Sequence, residues 1–186
     1  MAILIPRKCK SYEFWQKEGN IKLKIKYISL YAMFVALAMI LSYIESLIPL
    51  PFAIPGMKIG LANLVVIVAL YVMDEKAAIS ISILRVILVS FTFANLSAMM
   101  FSLIGALCSI LCMLLLKKLG SFSVAGVSIA GAVSHNIGQL MVAIIVVNTV
   151  QVISYMPILI IFGVTSGFVM GIMAVMVINR IKKAIK

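Results

Sequence analysis

The chain has 186 residues, 65% of them hydrophobic and 11% charged, with a mean hydropathy of +1.24. Soluble domains average about 45–50% apolar and about 25% charged residues, so this composition excludes an ordinary cytosolic enzyme and a disordered chain, and indicates an integral membrane protein. Sixteen Lys and Arg against five acids give a formal charge of +11, but they collect in the tails and in alternate loops. That placement orients a chain in a bilayer with an anionic cytoplasmic surface and gives no reason to expect a nucleic-acid partner.

At roughly 20 apolar residues per crossing, the length permits at most about six or seven spans and no soluble catalytic domain. The N-terminal stretch is basic and lacks an apolar core followed by a small-residue cleavage site, so no removable signal peptide is expected. Tyr12, Phe14 and Trp15 among its lysines read either as an interfacial segment or as a plain tail. Apolar runs ended by charge, Pro or Gly then predict six helices: Ile28 to Ile48, Ile59 to Met73, Ala77 to Ala94, Ser97 to Leu116, Phe122 to Thr149 and Tyr155 to Ile178. The second is short for a full span, and the fifth is long enough to tilt or break.

The expected organisation is a basic tail over residues 1–27, a six-helix transmembrane domain over 28–178 and a second basic tail over 179–186. Arg7, Lys8, Lys10, Lys17, Lys22, Lys24 and Lys26, with Lys76, Lys117, Lys118, Arg180, Lys182, Lys183 and Lys186, fall on one face, against Lys58 alone on the other. The positive-inside rule therefore predicts a multi-pass protein of the cell membrane with both termini cytoplasmic. Cys9, Cys108 and Cys112 are odd in number and suggest packing residues rather than disulfides or a zinc site.

Ionisable groups at membrane depth cost several kcal/mol, so Glu45, Lys58, Arg85 and His135 call for reasons. Arg85 sits about eight residues into its predicted helix, roughly 12 Å deep. It reads either as an anion-binding group facing a cavity or as a structural partner of Glu45 or of helix carbonyls. His135 and Gln139 share one face of the fifth helix with Asn136 beside them, and they read as ligand contacts, as hydrogen bonds between helices or as a proton relay. A single histidine makes a metal site unlikely to assemble there. The stretch from Pro49 to Asn63 carries three prolines and two glycines, and it reads as a cap on an outward-facing pocket or as a tight turn with Lys58 snorkelling and Asn63 bonding across helices.

Small residues recur at fourfold spacing: Ala32 and Ala36; Gly126, Ala130, Ser134 and Gly138; Gly163, Gly167 and Gly171. Internal packing is expected for the last two rows, while the first is open either to internal packing or to another subunit's helix. No G-x-x-x-x-G-K-[ST] motif, clustered aspartates, nucleophile elbow or second histidine occurs, so neither catalysis nor a cofactor is expected.

The runs Pro55-Gly56-Met57-Lys58-Ile59-Gly60-Leu61-Ala62-Asn63, Leu84-Arg85-Val86 and Val127 to Leu140, the last containing Ser134-His135-Asn136-Ile137-Gly138-Gln139, resemble the Gx transporter family, whose members are also labelled heptaprenyl diphosphate synthase component I. That family in turn resembles the substrate-binding S components of energy-coupling factor (ECF) transporters. The resemblance implies an all-α, six-helix membrane bundle with cytoplasmic termini and an outward ligand pocket. It further implies that Ala32 and Ala36 dock on a transmembrane coupling subunit powered by ABC-type ATPases. A small anionic or polar-headed substrate would then meet Lys58, Asn63, Arg85, His135, Asn136 and Gln139. The alternative is a non-catalytic accessory subunit of isoprenoid or quinone biosynthesis, and a self-contained carrier would need buried carboxylates that are scarce here.

Overall fold

The computed structural model describes residues 21–48, 59–93 and 95–185. Among these the chain forms six α-helices: α1 (Ile21–Leu47), α2 (Leu61–Val72), α3 (Glu75–Thr92), α4 (Leu96–Leu119), α5 (Val124–Val147) and α6 (Met156–Ile185), with a 3-10 turn at Val150–Tyr155 before the last. The aromatic cluster at Tyr12, Phe14 and Trp15, Cys9, and the proline-rich stretch with Lys58 lie outside the described residues. Both terminal helices run past the predicted spans, α1 from Ile21 and α6 to Ile185. Lysine-rich turns of good helix formers have no reason to unwind on leaving the hydrocarbon.

The boundaries follow local chemistry. Asp74, Asn95 and Ser123 accept hydrogen bonds from the backbone N–H groups of Ala77, Ala98 and Gly126 at 2.9, 2.8 and 3.2 Å, and so cap the starts of α3, α4 and α5. Gly120 ends α4 with a φ of 67°, a left-handed residue that lets the chain reverse within four residues.

Among the described residues, four segments are long and apolar enough to cross a membrane: Ile25–Leu47, Leu96–Leu119, Val124–Val147 and Val150–Lys183. Helix α3 carries Glu75, Lys76 and Arg85 within its 18 residues. Helix α2 has only 12 residues, about 18 Å of rise, and packs against α1, α3, α5 and α6. Ten of its residues are buried and none is exposed, as expected of a helix that is apolar all round. Around this axial helix the outer surface is hydrophobic, with Leu111 and Leu115 of α4 and Ile161, Phe168 and Met176 of α6 all exposed. Water would disfavour such a continuous face, whereas lipid matches it.

Helices α5 and α6 pack backbone to backbone. A carbon added at Gly167 would lie 2.7 Å from Ile129 Cα and 3.1 Å from Ser128 O, and one at Gly171 would lie 2.7 Å from Ala125 Cα. The Ser128 hydroxyl donates to Gly167 O at 2.7 Å across the seam. The glycine row of α6 thus meets α5 along Ala125, Ile129 and Ala132, a different face from the row that runs from Gly126 to Gly138. Gly138 faces α4, where an added carbon would come 3.1 Å from Gly105 Cα. Helix α5 is sandwiched, and small residues serve it on two sides.

Replacing Gly167 by Val is expected to lower the thermal midpoint of the detergent-solubilised protein, in line with the ~1–3 kcal/mol of overpacking against a backbone. Gly126→Ala, where the new carbon would find nothing nearer than 3.6 Å, is expected to leave it unchanged.

Candidate functional site

Arg85 lies on the face of α3 that buries Ala78, Ile81, Ser82 and Val86. Its Nε is buried without a hydrogen-bond partner, and among the described residues its guanidinium forms no ion pair. Glu45 does not serve as a contact partner, although its charge acts on Arg85. Instead the Glu45 carboxylate accepts from the backbone N–H of Gly60, which precedes α2 with a φ of 84°. That conformation and the unoccupied helix-start amide together explain the arrangement: Glu45 is fixed at the positive end of the α2 dipole.

On α5 the three polar residues have different fates. The Asn136 amide donates to Leu159 O of α6 at 2.9 Å in a buried contact, so it stitches α5 to α6. His135 and Gln139 face α4, where Gly105 makes room for them: a carbon added there would lie 2.9 Å from Gln139 Cγ and 3.0 Å from His135 Nε2. Gln139 is 2% exposed, and both its Oε1 and its Nε2 are buried without partners. Ser109, one turn further along α4, is buried to the same extent and its hydroxyl is also unpartnered.

Helices α3 and α5 each pack on both α2 and α4, whereas the backbones of α3 and α5 approach each other at few points, as do those of α2 and α4, which are joined at the far end by Lys117. The four therefore surround a common interior. Arg85 lies seven residues before the end of α3 at Thr92, and Gly105 nine residues after the start of α4 at Leu96. At ~1.5 Å per residue their depths below the shared turn differ by about 3 Å, which sets Arg85 level with Gln139. Asn63, half-buried in the first turn of α2, enters from the same end and makes no side-chain hydrogen bond with a described residue. Of the expected contacts, Asn63, Arg85, His135 and Gln139 thus share the half of the bundle away from Lys117 and Lys118, while Asn136 is turned to α6. Ser109 and Gly105 were missed in the sequence. Their only signal is a Ser four residues after a Gly in an apolar run.

Ala32 and Ala36 are exposed on α1, on the side opposite buried Phe34 and Ala38. Among the described residues, none covers that row enough to bury either alanine.

The fold and its interior define an all-helical membrane protein with polar groups left unengaged at depth. The chain belongs to the heptaprenyl diphosphate synthase component I family, which it matches over residues 34–177, most of its length. No curated protein and no solved structure matches it.

Asn136→Leu is expected to lower stability by about 1 kcal/mol, the net worth of a buried hydrogen bond, and to weaken the α5–α6 seam, as read by thermal unfolding and by hydrogen exchange in the first turns of α6.

Proposed function

We propose that this protein is the substrate-binding subunit of an ECF-type uptake system, taking up a small anionic or polar-headed molecule from outside the cell. In this reading all six helices form the membrane bundle in the cell membrane, α2 and α3 included, and both termini are cytoplasmic. Energy comes from a separate transmembrane coupling subunit and ABC-type ATPases, and the chain itself is not an enzyme.

The observation that carries the reading is the Nε of Arg85, buried without a hydrogen-bond partner on the face of α3 that packs into the bundle. A buried positive group without a carboxylate against it is costly, and an anionic ligand would relieve that cost. Glu45 makes no contact with Arg85, and the Nε donor of Arg85 is open to a planar anion. The outward-facing Ala32 and Ala36 support the second half of the proposal, because two small residues one turn apart let a partner helix approach closely. The basic tails and loops give the expected orientation.

The family's name supplies a second reading, a membrane accessory subunit beside a separate prenyl diphosphate synthase. It places the partner on the basic cytoplasmic tails and assigns the bundle interior no ligand.

Affinity purification of the tagged protein from its host in a gentle detergent, with mass spectrometry of the proteins and small molecules retained, separates the two. Recovery of a coupling protein and two ATPases, lost on Ala32→Leu with Ala36→Leu, is the expected result. Arg85→Gln is expected to reduce the retained anionic molecule at least tenfold, with the protein still folded. A soluble aspartate-rich synthase in place of the ATPases, insensitive to these changes, would overturn the uptake reading.

A further inference from the structure

Resting on the uptake reading, we propose that the substrate carries a neutral amide-type edge, one C=O beside one N–H, next to its anionic group, and that Gln139 reads this edge while Arg85 reads the anion. The substrate class is a small carboxylic acid or similar planar anion bearing a lactam, imide or ureide.

The inference starts from what Gln139 lacks. A carboxamide has two donors and an acceptor, and in a buried apolar setting each unmet group costs free energy that a core position would not tolerate without return. Here both ends are unmet, so the conclusion does not depend on which way the amide is turned. A lone anion would satisfy the Nε2 donors and leave Oε1 facing negative charge. A lone cation would do the reverse. One group satisfies both ends at once, a second cis-amide-like edge aligned antiparallel, with N–H donating to Oε1 and C=O accepting from Nε2.

Position supports reading one ligand rather than two. Arg85 and Gln139 lie at nearly equal depth on helices that share α2 and α4 as neighbours. Gly105 leaves the Gln139 stem room to lie close against the α4 backbone. The unpartnered Ser109 hydroxyl continues the polar surface one turn further in. Since Gln139 is 2% exposed, a ligand reaches its amide after interior side chains change rotamer, so the empty protein holds the reading group closed until binding.

The test uses three probes on the purified full-length protein in nanodiscs, with binding followed by ligand-observed NMR at millimolar concentration. Orotate carries a carboxylate and an imide edge, benzoate the carboxylate alone, and uracil the edge alone. Orotate is expected to bind about tenfold more tightly than benzoate, and uracil more weakly than either. In Gln139→Met the orotate preference is expected to vanish with benzoate binding unchanged, and in Arg85→Gln both acids lose binding.

Ligand-free Gln139→Met is expected to unfold no earlier than the parent protein, since the change removes unmet polar groups. A lowered midpoint would make Gln139 a structural residue and overturn the proposal. Equal binding of orotate and benzoate, or a preference that survives Gln139→Met, would overturn it while leaving the uptake reading intact. Failure of every acid to bind in an Arg85-dependent way would overturn both.

Discussion

Helix α2 has no exposed side chain and is too short to reach both membrane surfaces, so the four orphan backbone groups at each of its ends have to find partners inside the protein. At its start the Glu45 carboxylate takes the Gly60 N–H. At its end Lys117 Nζ donates to Leu70 O at 2.8 Å and stands 5.6 Å from the Tyr71 ring centroid. The connection onward is held by Asp74, which accepts from the Tyr27 hydroxyl at 2.9 Å as well as from Ala77 N. Three helices, α1, α3 and α4, are thereby tied to the ends of the one they surround. Of the ionisable residues at membrane depth, Glu45 is in this way explained as a closure of an internal helix, and Asp74 and Lys117 serve its other end.

The exceptions stand out against that background. Asn136 and Ser128 have partners on α6, and Glu45, Asp74 and Lys117 have partners at the ends of α2 or beside them. Arg85, Gln139 and Ser109 have unpartnered buried atoms. Among the described residues, these unmet atoms stand on three adjoining helices, and the uptake reading proposed above takes them as the groups that meet a ligand. The apolar shell raises the strength of any interaction made there, because the local dielectric is low.

Much of this was legible in the residues. Apolar runs located the helical segments among the described residues, though α1 begins and α6 ends seven residues beyond the predicted bounds, and Gly163, Gly167 and Gly171 announced a close helix contact. The row on α5 was harder, because a fourfold repeat from Gly126 to Gly138 is one of two small-residue faces on a sandwiched helix. The other face, through Ala125, Ile129 and Ala132, contains an Ile whose backbone, not its side chain, makes the contact. Likewise Arg85 and Glu45 suggested an ion pair by charge alone. Only the three-dimensional arrangement reveals that the orphan amide at Gly60, a backbone group invisible to any reading of side chains, is the group Glu45 holds. The same limit hid Ser109, since a lone serine in an apolar helix more often bonds its own backbone than stands unmet.

The two functional readings differ in what they ask of the interior. An anchor for a soluble synthase needs a stable bundle and a basic cytoplasmic surface, and it gains nothing from an unpartnered arginine at depth. Native stability is only about 5–15 kcal/mol, and an unpaired buried charge removes several of these. A leucine at position 85 would serve an anchor better. A binding subunit, by contrast, has to hold its recognition groups ready before the ligand arrives, and the cost of keeping them unmet is returned when the ligand binds. The uptake reading also gives a use to the exposed row of Ala32 and Ala36, as the face proposed above to receive a partner helix, whereas an anchor working through its tails asks nothing of it. Both features lie within the membrane domain and neither lies on the tails, so the structure concentrates its unexplained chemistry where a ligand and a membrane partner would meet it.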